Sequence, residues 1–336
     1  MRNTFLILGG LLMAFTGALA AADATVAKGV RVDTYTGWEE SMFLSGGDCK
    51  AVIVPATGGR IAQYSLNGEN ILFENPASFG KTMVNTPEGF WVAGYQCDLG
   101  PEIRGLPDHP KLWMWPHRWR TPRENTVGLL SEHDLTVGIQ MEKEIVMDPD
   151  TGELGLVQRM RNVIDRETAF CLWDRTLCKG GGFAFFPLNR SSRFPSGWSI
   201  RRTVDKKYSY NSKDPSDAGV KVLDGVLVAQ AGGPALKVGA DSDAGWIAYA
   251  RGKLLFVKYF PYFPKGNYTD GGNSVEFYCD SKVAELEPLS PEIKLKPGEN
   301  YSFPEKWVLI ELQDEVTTYA QARALVKRVP ASPFKK

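Results

Sequence analysis

The chain has 336 residues, enough for one large β domain or two ordinary ones with a full core. Basic and acidic residues number 39 each, so the formal net charge is zero, and neither a nucleic-acid partner nor an anionic membrane surface is indicated. Nine Trp, twelve Tyr and seventeen Phe, with 34 Gly and 21 Pro, suit a turn-rich β protein and sugar binding, because aromatic faces stack on pyranose C–H surfaces.

The first segment carries Arg2, an apolar run from Phe5 to Phe15 and then Ala18-Leu19-Ala20. This predicts a secretory signal peptide over residues 1–22, cleaved after Ala20, Ala22 or Ala24, and hence a periplasmic or secreted protein. The run is short for a bilayer span and no other stretch is longer, so no membrane span is expected. Residues 23–336 show no repeat, low-complexity tract or linker and read as a single domain. Cys49, Cys97, Cys171, Cys178 and Cys279 can pair in part in an oxidising compartment, the odd count leaving at least one free. Their spacing selects no connectivity and contains no C-x-x-C motif.

Strand-like runs follow at Val30-Arg31-Val32-Asp33, Ala51-Val52-Ile53-Val54 and Gly59-Arg60-Ile61-Ala62-Gln63-Tyr64. Asn67-Gly68 marks a type I′ hairpin, with Asn70-Ile71-Leu72-Phe73 as the returning strand. Residues 79–122 are irregular and dense in Gly, Pro and aromatics: Trp91, Trp113, Trp115 and Trp119, with His109 and His117 close to Arg104 and Asp108. Such a segment either lines a ligand or closes one end of a sandwich. Residues 135–164 form a long hairpin, with Leu135, Val137, Ile139 and Met141 facing Leu154 and Leu156 across Asp148-Pro149-Asp150-Thr151-Gly152. That turn and Asp241-x-Asp243-x-Gly245 begin like calcium loops but lack the later bidentate carboxylate, so neither a metal nor a cofactor is implied.

Arg161-Asn162-Val163-Ile164-Asp165 leads to a further strand, Phe170-Cys171-Leu172-Trp173-Asp174-Arg175-Thr176, and Lys179-Gly180-Gly181-Gly182 fits a bulge or close backbone approach. Residues 197–239 are polar, with loops between short strands. Two strands flank Arg251-Gly252-Lys253, and residues 261–272 form an aromatic, Gly-rich loop containing Tyr262, Tyr268 and Asp270. Residues 274–309 hold three β-like runs, and Glu285 and Glu287 share parity on the middle one. Two carboxylates on one face are either a solvated edge or the wall of a cleft. Residues 316–327 predict a C-terminal helix capped by Asp314.

Leu286-Glu287-Pro288 followed by Leu295-Lys296-Pro297-Gly298-Glu299-Asn300-Tyr301 resembles the C-terminal signature of the galactose mutarotase-like superfamily, most closely an exported bacterial family within it. The opening hairpin with Gly58-Gly59-Arg60-Ile61 and the strand ending in an Arg-x-Asn type turn near Arg161 are similar to that superfamily too, and the likeness runs loosely over residues 51–312. It implies an all-β fold, a large antiparallel β-sandwich of the galactose mutarotase-like supersandwich type with a short C-terminal helix. It also implies a mono- or oligosaccharide ligand and, for an aldose epimerase, Glu287 as the base, with Glu285 and then Glu292 as fallbacks. Epimerases carry a histidine acid on the strand occupied here by Asp174 and Arg175. The acid candidates are therefore His117, His109 or Asp174. Arg60, Arg104 and Arg175 are candidate hydroxyl or carboxylate binders, and Trp113, Trp115, Trp173 and Tyr262 candidate stacking platforms. A non-catalytic sugar-binding module, a lyase or glycoside-processing enzyme using Tyr268 with Asp270, and a structural envelope protein stand as alternatives.

Overall fold

Period-two burial runs through the computed structural model, which describes residues 26–86, 93–204 and 207–334. The leader expected over residues 1–22, and Trp91, lie outside the described residues. The strand Ile139–Met147 is typical, burying Ile139, Met141, Lys143, Ile145 and Met147. All strand pairs are antiparallel and fall into three sheets.

A five-stranded meander, Val30–Tyr35, Trp38–Gly46, Cys49–Val54, Arg60–Leu66 and Glu69–Asn70, comes first. A ten-stranded sheet then runs in spatial order Val220–Leu223, Val226–Gln230, Phe183–Pro187, Trp246–Arg251, Leu254–Tyr259, Asn300–Glu311, Leu154–Asn162, Ile139–Met147, Thr126–Leu130 and Arg118–Arg120. The third sheet has eight strands: Lys207–Asn211, Ser199–Val204, Leu236–Ala240, Val275–Cys279, Val283–Pro288, Thr168–Lys179 and Ile293–Leu295, with Tyr95–Gly100 also paired to Thr168–Lys179. One apolar core draws on all three sheets, with Tyr64, Tyr95, Phe256 and Trp307 packed edge to face at its middle. The fold is thus the expected all-β antiparallel sandwich, and no helix among the described residues is long and apolar enough to cross a membrane.

Several local expectations shift. The hairpin begins at Ile139, because the carbonyl of Asp134 accepts from the amides of Gly138 and Ile139 in a turn that leaves Leu135 67% exposed. The returning strand after Asn67-Gly68 stops at Asn70: Leu72 and Phe73 cross to the eight-stranded sheet, where Leu72 bridges Cys178 and the Phe73 amide donates to Leu177. The irregular stretch 79–122 contains the fully buried strand Tyr95–Gly100. The terminal helix covers Tyr319–Ala324 with a 3-10 turn, Leu325–Arg328, and its cap is Thr318 rather than Asp314. The Thr318 hydroxyl accepts from the Gln321 amide while the Gln321 side chain reaches back to the cap backbone. Gly180 and Gly182 do serve close backbone approach, since a Cβ there would lie 2.8 Å from the Lys282 carbonyl oxygen and 2.3 Å from that of Ala250. All five cysteines are free and buried.

The two large sheets are joined by charge as well as by apolar packing. Lys258, fully buried on the ten-stranded sheet, donates to the Asp174 carboxylate at 2.5 Å and to the Thr176 hydroxyl at 2.8 Å on the facing sheet, and lies 3.4 Å from Glu305. Burial and then the Glu305 charge push the Asp174 carboxyl well above its ordinary range. Lys258→Met would leave two carboxylates facing each other in the dry core. We expect it to cost about 3–5 kcal/mol in denaturant unfolding, far more than a surface Lys→Met change.

Candidate functional site

The eight-stranded sheet has one face in the core and the other on a cavity, and strand alternation decides which side chain goes where. Along Val275–Cys279, the apolar Val275, Phe277 and Cys279 enter the core, so Glu276 and Tyr278 take the opposite face. Along Leu236–Ala240, Leu236, Val238 and Ala240 are core and Lys237 points the other way. Registry then aligns these outward positions: Lys237 pairs with Tyr278, Tyr278 with Glu285 and Glu285 with Leu177, while Glu276 pairs with Glu287. A hollow of about 570 Å³ lies over this row. Its floor includes Trp173, Arg175, Lys237, Tyr278, Glu285 and Glu287, and residues Phe73 to Pro76 form one side.

Lys237 is the centre of the charge arrangement. Its ammonium is 3% exposed and lies 2.8 Å from Glu102, 2.9 Å from Glu276 and 2.8 Å from Glu287. The same Glu287 oxygen accepts from the Trp173 indole at 2.7 Å, while its other oxygen, Oε1, has no hydrogen-bond partner among the described residues. Burial works against the Lys237 ammonium, but Glu276, Glu287 and Glu102 overcome it and hold the lysine above its ordinary range. Glu102 is pushed up by burial and more strongly down by Lys237 and Arg201, ending below the usual carboxylate range. Arg201 forms an ion pair with Glu102 and lies 4.4 Å over the Tyr208 ring. Arg175 lies 3.4 Å from Glu285 and 3.6 Å from Asp98, and Asp98 in turn meets His109 at 2.7 Å. Burial, moderated by Arg175 and reinforced by Glu287, raises the Glu285 carboxyl. His109, lowered by burial, is raised further by Asp98 and sits above its usual value.

Of the residues singled out from sequence, Glu285, Glu287, Trp173 and Arg175 converge on this cavity. His109 and Trp113 stand behind it, His109 through Asp98 and Trp113 with its ring 5.9 Å from the Arg175 guanidinium. Trp173 is not an open stacking platform, because Arg175 and Lys237 lie 4.7 and 4.6 Å from its ring centre. Asp174 faces away into the core, one residue out of phase with Trp173 and Arg175. His117 is fully enclosed beside Gly59, and burial drives its pKa well down. Arg60 is buried against the carbonyls of Thr57 and Ala93 at 2.9 and 2.6 Å. Trp115 is covered by Lys111, Arg104 pairs with Glu292 at 2.6 Å, and Tyr262 stacks on Tyr268; none of these lines the cavity. Asp270 accepts from the amides of Glu102 and Ile103 at 3.1 and 2.9 Å, so it positions the loop that carries Glu102. The Asp148 turn is closed by its own side chain, which accepts from the amides of Asp150 and Thr151.

Sequence reading missed Lys237, Glu276, Glu102 and Arg201. A lysine inside the apolar run Leu-Lys-Val-Gly-Ala and a glutamate inside Val-Glu-Phe-Tyr-Cys were the available signals for the first two. Glu276 also supplies a pH test. Burial pushes its carboxyl up to about 8 against an ordinary 4.5, so between those values the folded chain holds a proton that the unfolded chain releases. Stability therefore falls as pH rises through that window. Relative to Glu276→Gln, the wild type should lose on the order of a few kcal/mol between pH 5 and 8.5 in paired denaturant titrations; parallel curves would contradict this.

No family model matches the sequence, and no curated protein matches it either. Solved structures do. A candidate aldose 1-epimerase from Escherichia coli K12 is similar over 80% of this chain and 98% of its own, at 11% identity and a TM-score of 0.58. A galactose mutarotase-like protein from Lactobacillus casei matches 80% of this chain and 100% of its own, at 10% identity and TM-score 0.54. Galactose 1-epimerase from Lactobacillus acidophilus matches 81% and 95%, at 13% identity and TM-score 0.50. With strand order, sheet pairing and these likenesses together, the chain has the galactose mutarotase-like fold.

Proposed function

We propose that this is an exported carbohydrate-binding protein that takes a mono- or oligosaccharide in the cavity over Arg175, Glu285 and Glu287. The observation that carries the reading is the row of in-register polar side chains on the open face of the eight-stranded sheet, forming the floor of a hollow of about 570 Å³. That volume is within the roughly 300–1,000 Å³ of small-molecule sites. Carboxylates that accept from hydroxyls alternate with guanidinium forks that donate to them, and Phe73 and Tyr278 add apolar surface for the C–H faces of a ring. The similar solved structures, named as epimerases and mutarotase-like proteins, agree with a sugar as the ligand class. Export rests on the leader-like residues 1–22.

A second reading, an aldose epimerase-type isomerase, is favoured by Glu287 alone: it lines the cavity, and its buried Oε1 is unpartnered among the described residues. In that chemistry Glu287 takes the proton of the anomeric hydroxyl while an acid protonates the ring oxygen, the C1–O bond to the ring opens, the aldehyde turns and the ring closes on its other face. Among the described residues lining the cavity there is no histidine, and Glu285 is the carboxyl whose raised pKa suits the donor. Binding is therefore the better-supported reading.

Calorimetry with a panel of mono- and disaccharides should find a binder, and Arg175→Ala should weaken it by roughly tenfold or more through loss of a charged donor. Faster anomer exchange by NMR with the wild type, lost in Glu287→Gln, would replace the binding reading with the isomerase. Silence across the whole panel, in both calorimetry and thermal melting, would end both.

A further inference from the structure

Resting on the carbohydrate reading, we infer that the cavity prefers a sugar bearing a protonated amino group over its neutral or N-acetylated counterpart, and rejects sugars bearing a carboxylate or phosphate. Three of the four cations lining the cavity already face carboxylates. The Lys237 ammonium donates to Glu102 and Glu287 at 2.8 Å, has a Glu276 oxygen at 2.9 Å and is only 3% exposed, which closes it to an incoming anion. Arg201 is paired with Glu102, and Arg175 lies between Glu285 and Asp98. The remaining lining cation, Lys282, is exposed and makes no ion pair among the described residues; Glu74 and Asp280 line the same cavity.

The acceptors, by contrast, are in surplus. Glu287 keeps Oε1 unpartnered although the side chain is fully buried, and Glu285 makes only a long 3.4 Å contact with Arg175. Five carboxylates line the hollow against four basic side chains, with Asp98 directly behind. A ligand ammonium placed beside Glu285 would gain Coulomb attraction in a partly desolvated site. A uronate or sugar phosphate would face the same surplus of carboxylates, with exposed Lys282 the one lining cation outside an ion pair among the described residues, an unfavourable like-charge juxtaposition. N-acetylation removes the charge while keeping the ring, so it separates charge from shape.

Calorimetry at pH 7 would compare glucosamine and galactosamine with glucose, galactose, their N-acetyl derivatives, the uronates and the 6-phosphates. The amino sugar is expected to bind roughly tenfold or more tightly than the matching neutral and N-acetyl sugars, with the acidic sugars weakest. Glu285→Gln should shrink the amino-sugar preference more than it weakens neutral-sugar binding. Equal affinity for amino and neutral sugars, or tighter binding of a uronate or phosphate, overturns the inference while leaving carbohydrate binding intact. No binding by any member of the panel removes the carbohydrate reading itself, and the inference with it. The wild-type panel decides these outcomes even where the Glu285 variant does not fold.

Discussion

The site is built on the burial of one ammonium, Lys237, among Glu102, Glu276 and Glu287. An isolated charge in so dry a position is prohibitive, and so is a cluster of carboxylates without a cation. Each therefore requires the others, and the three glutamates come from three separate places in the chain. Glu276 and Glu287 are set by the pairing of Val275–Cys279 with Val283–Pro288, whereas Glu102 is brought in by a loop that Asp270 ties down through two backbone amides. The lysine thus couples loop placement to sheet register, and the cavity wall is fixed by electrostatic necessity rather than by shape alone.

The strand Thr168–Lys179 carries a second version of the same problem on its other face. Asp174 and Thr176 meet Lys258 in the core, and Trp173 and Arg175 meet Lys237, Glu285 and Asp98 at the cavity. A one-residue slip in this strand would exchange the two sets and strand both lysines. Polar groups on both faces therefore act as a register lock, stronger than the apolar alternation of a strand with one wet face. This also explains why so central a strand tolerates charges in its middle: Asp174 and Arg175 are each matched by a partner of opposite sign within 4 Å.

Much of this was legible before any coordinates, for reasons of period. Glu285 and Glu287 share a face because a strand alternates, and the resemblance around Glu287-Pro288 pointed to the same wall. Parity applied to Trp173-Asp174-Arg175 would have sent Asp174 away from its neighbours; choosing it as an acid by proximity in sequence ignored the pleat. The Trp and His density of residues 79–122 suits either a ligand-lining loop or a closed end of the sandwich; His117 and Trp115 fill the interior and flank of that segment, and its contribution to the cavity is the strand Tyr95–Gly100 with Asp98 and the loop with Glu102. Nothing local marks Glu102, because its role depends on a contact with Lys237, 135 positions away.

Sugar chemistry on such a floor depends on how acceptors and donors are distributed over the walls. Glu285 and Glu287 stand two residues apart on one strand, roughly 6.4–6.8 Å along the chain, so both approach a bound ring from the same side. Ring opening needs proton transfer at the anomeric hydroxyl and at the ring oxygen together, which neighbouring atoms of one edge could offer to two such carboxyls. Yet Glu287 is committed to Lys237 and Trp173 through one oxygen and its other oxygen is buried, so Glu285 is the carboxyl of the pair with exposure to the cavity. Arg175, whose guanidinium is held between Glu285 and Asp98, stays charged above its ordinary range and donates without exchanging a proton. Fixed donors and fixed acceptors of this kind suit recognition of hydroxyl geometry, and on the carbohydrate reading a catalyst on the same sheet would need groups that stabilise the opening ring more than the closed one.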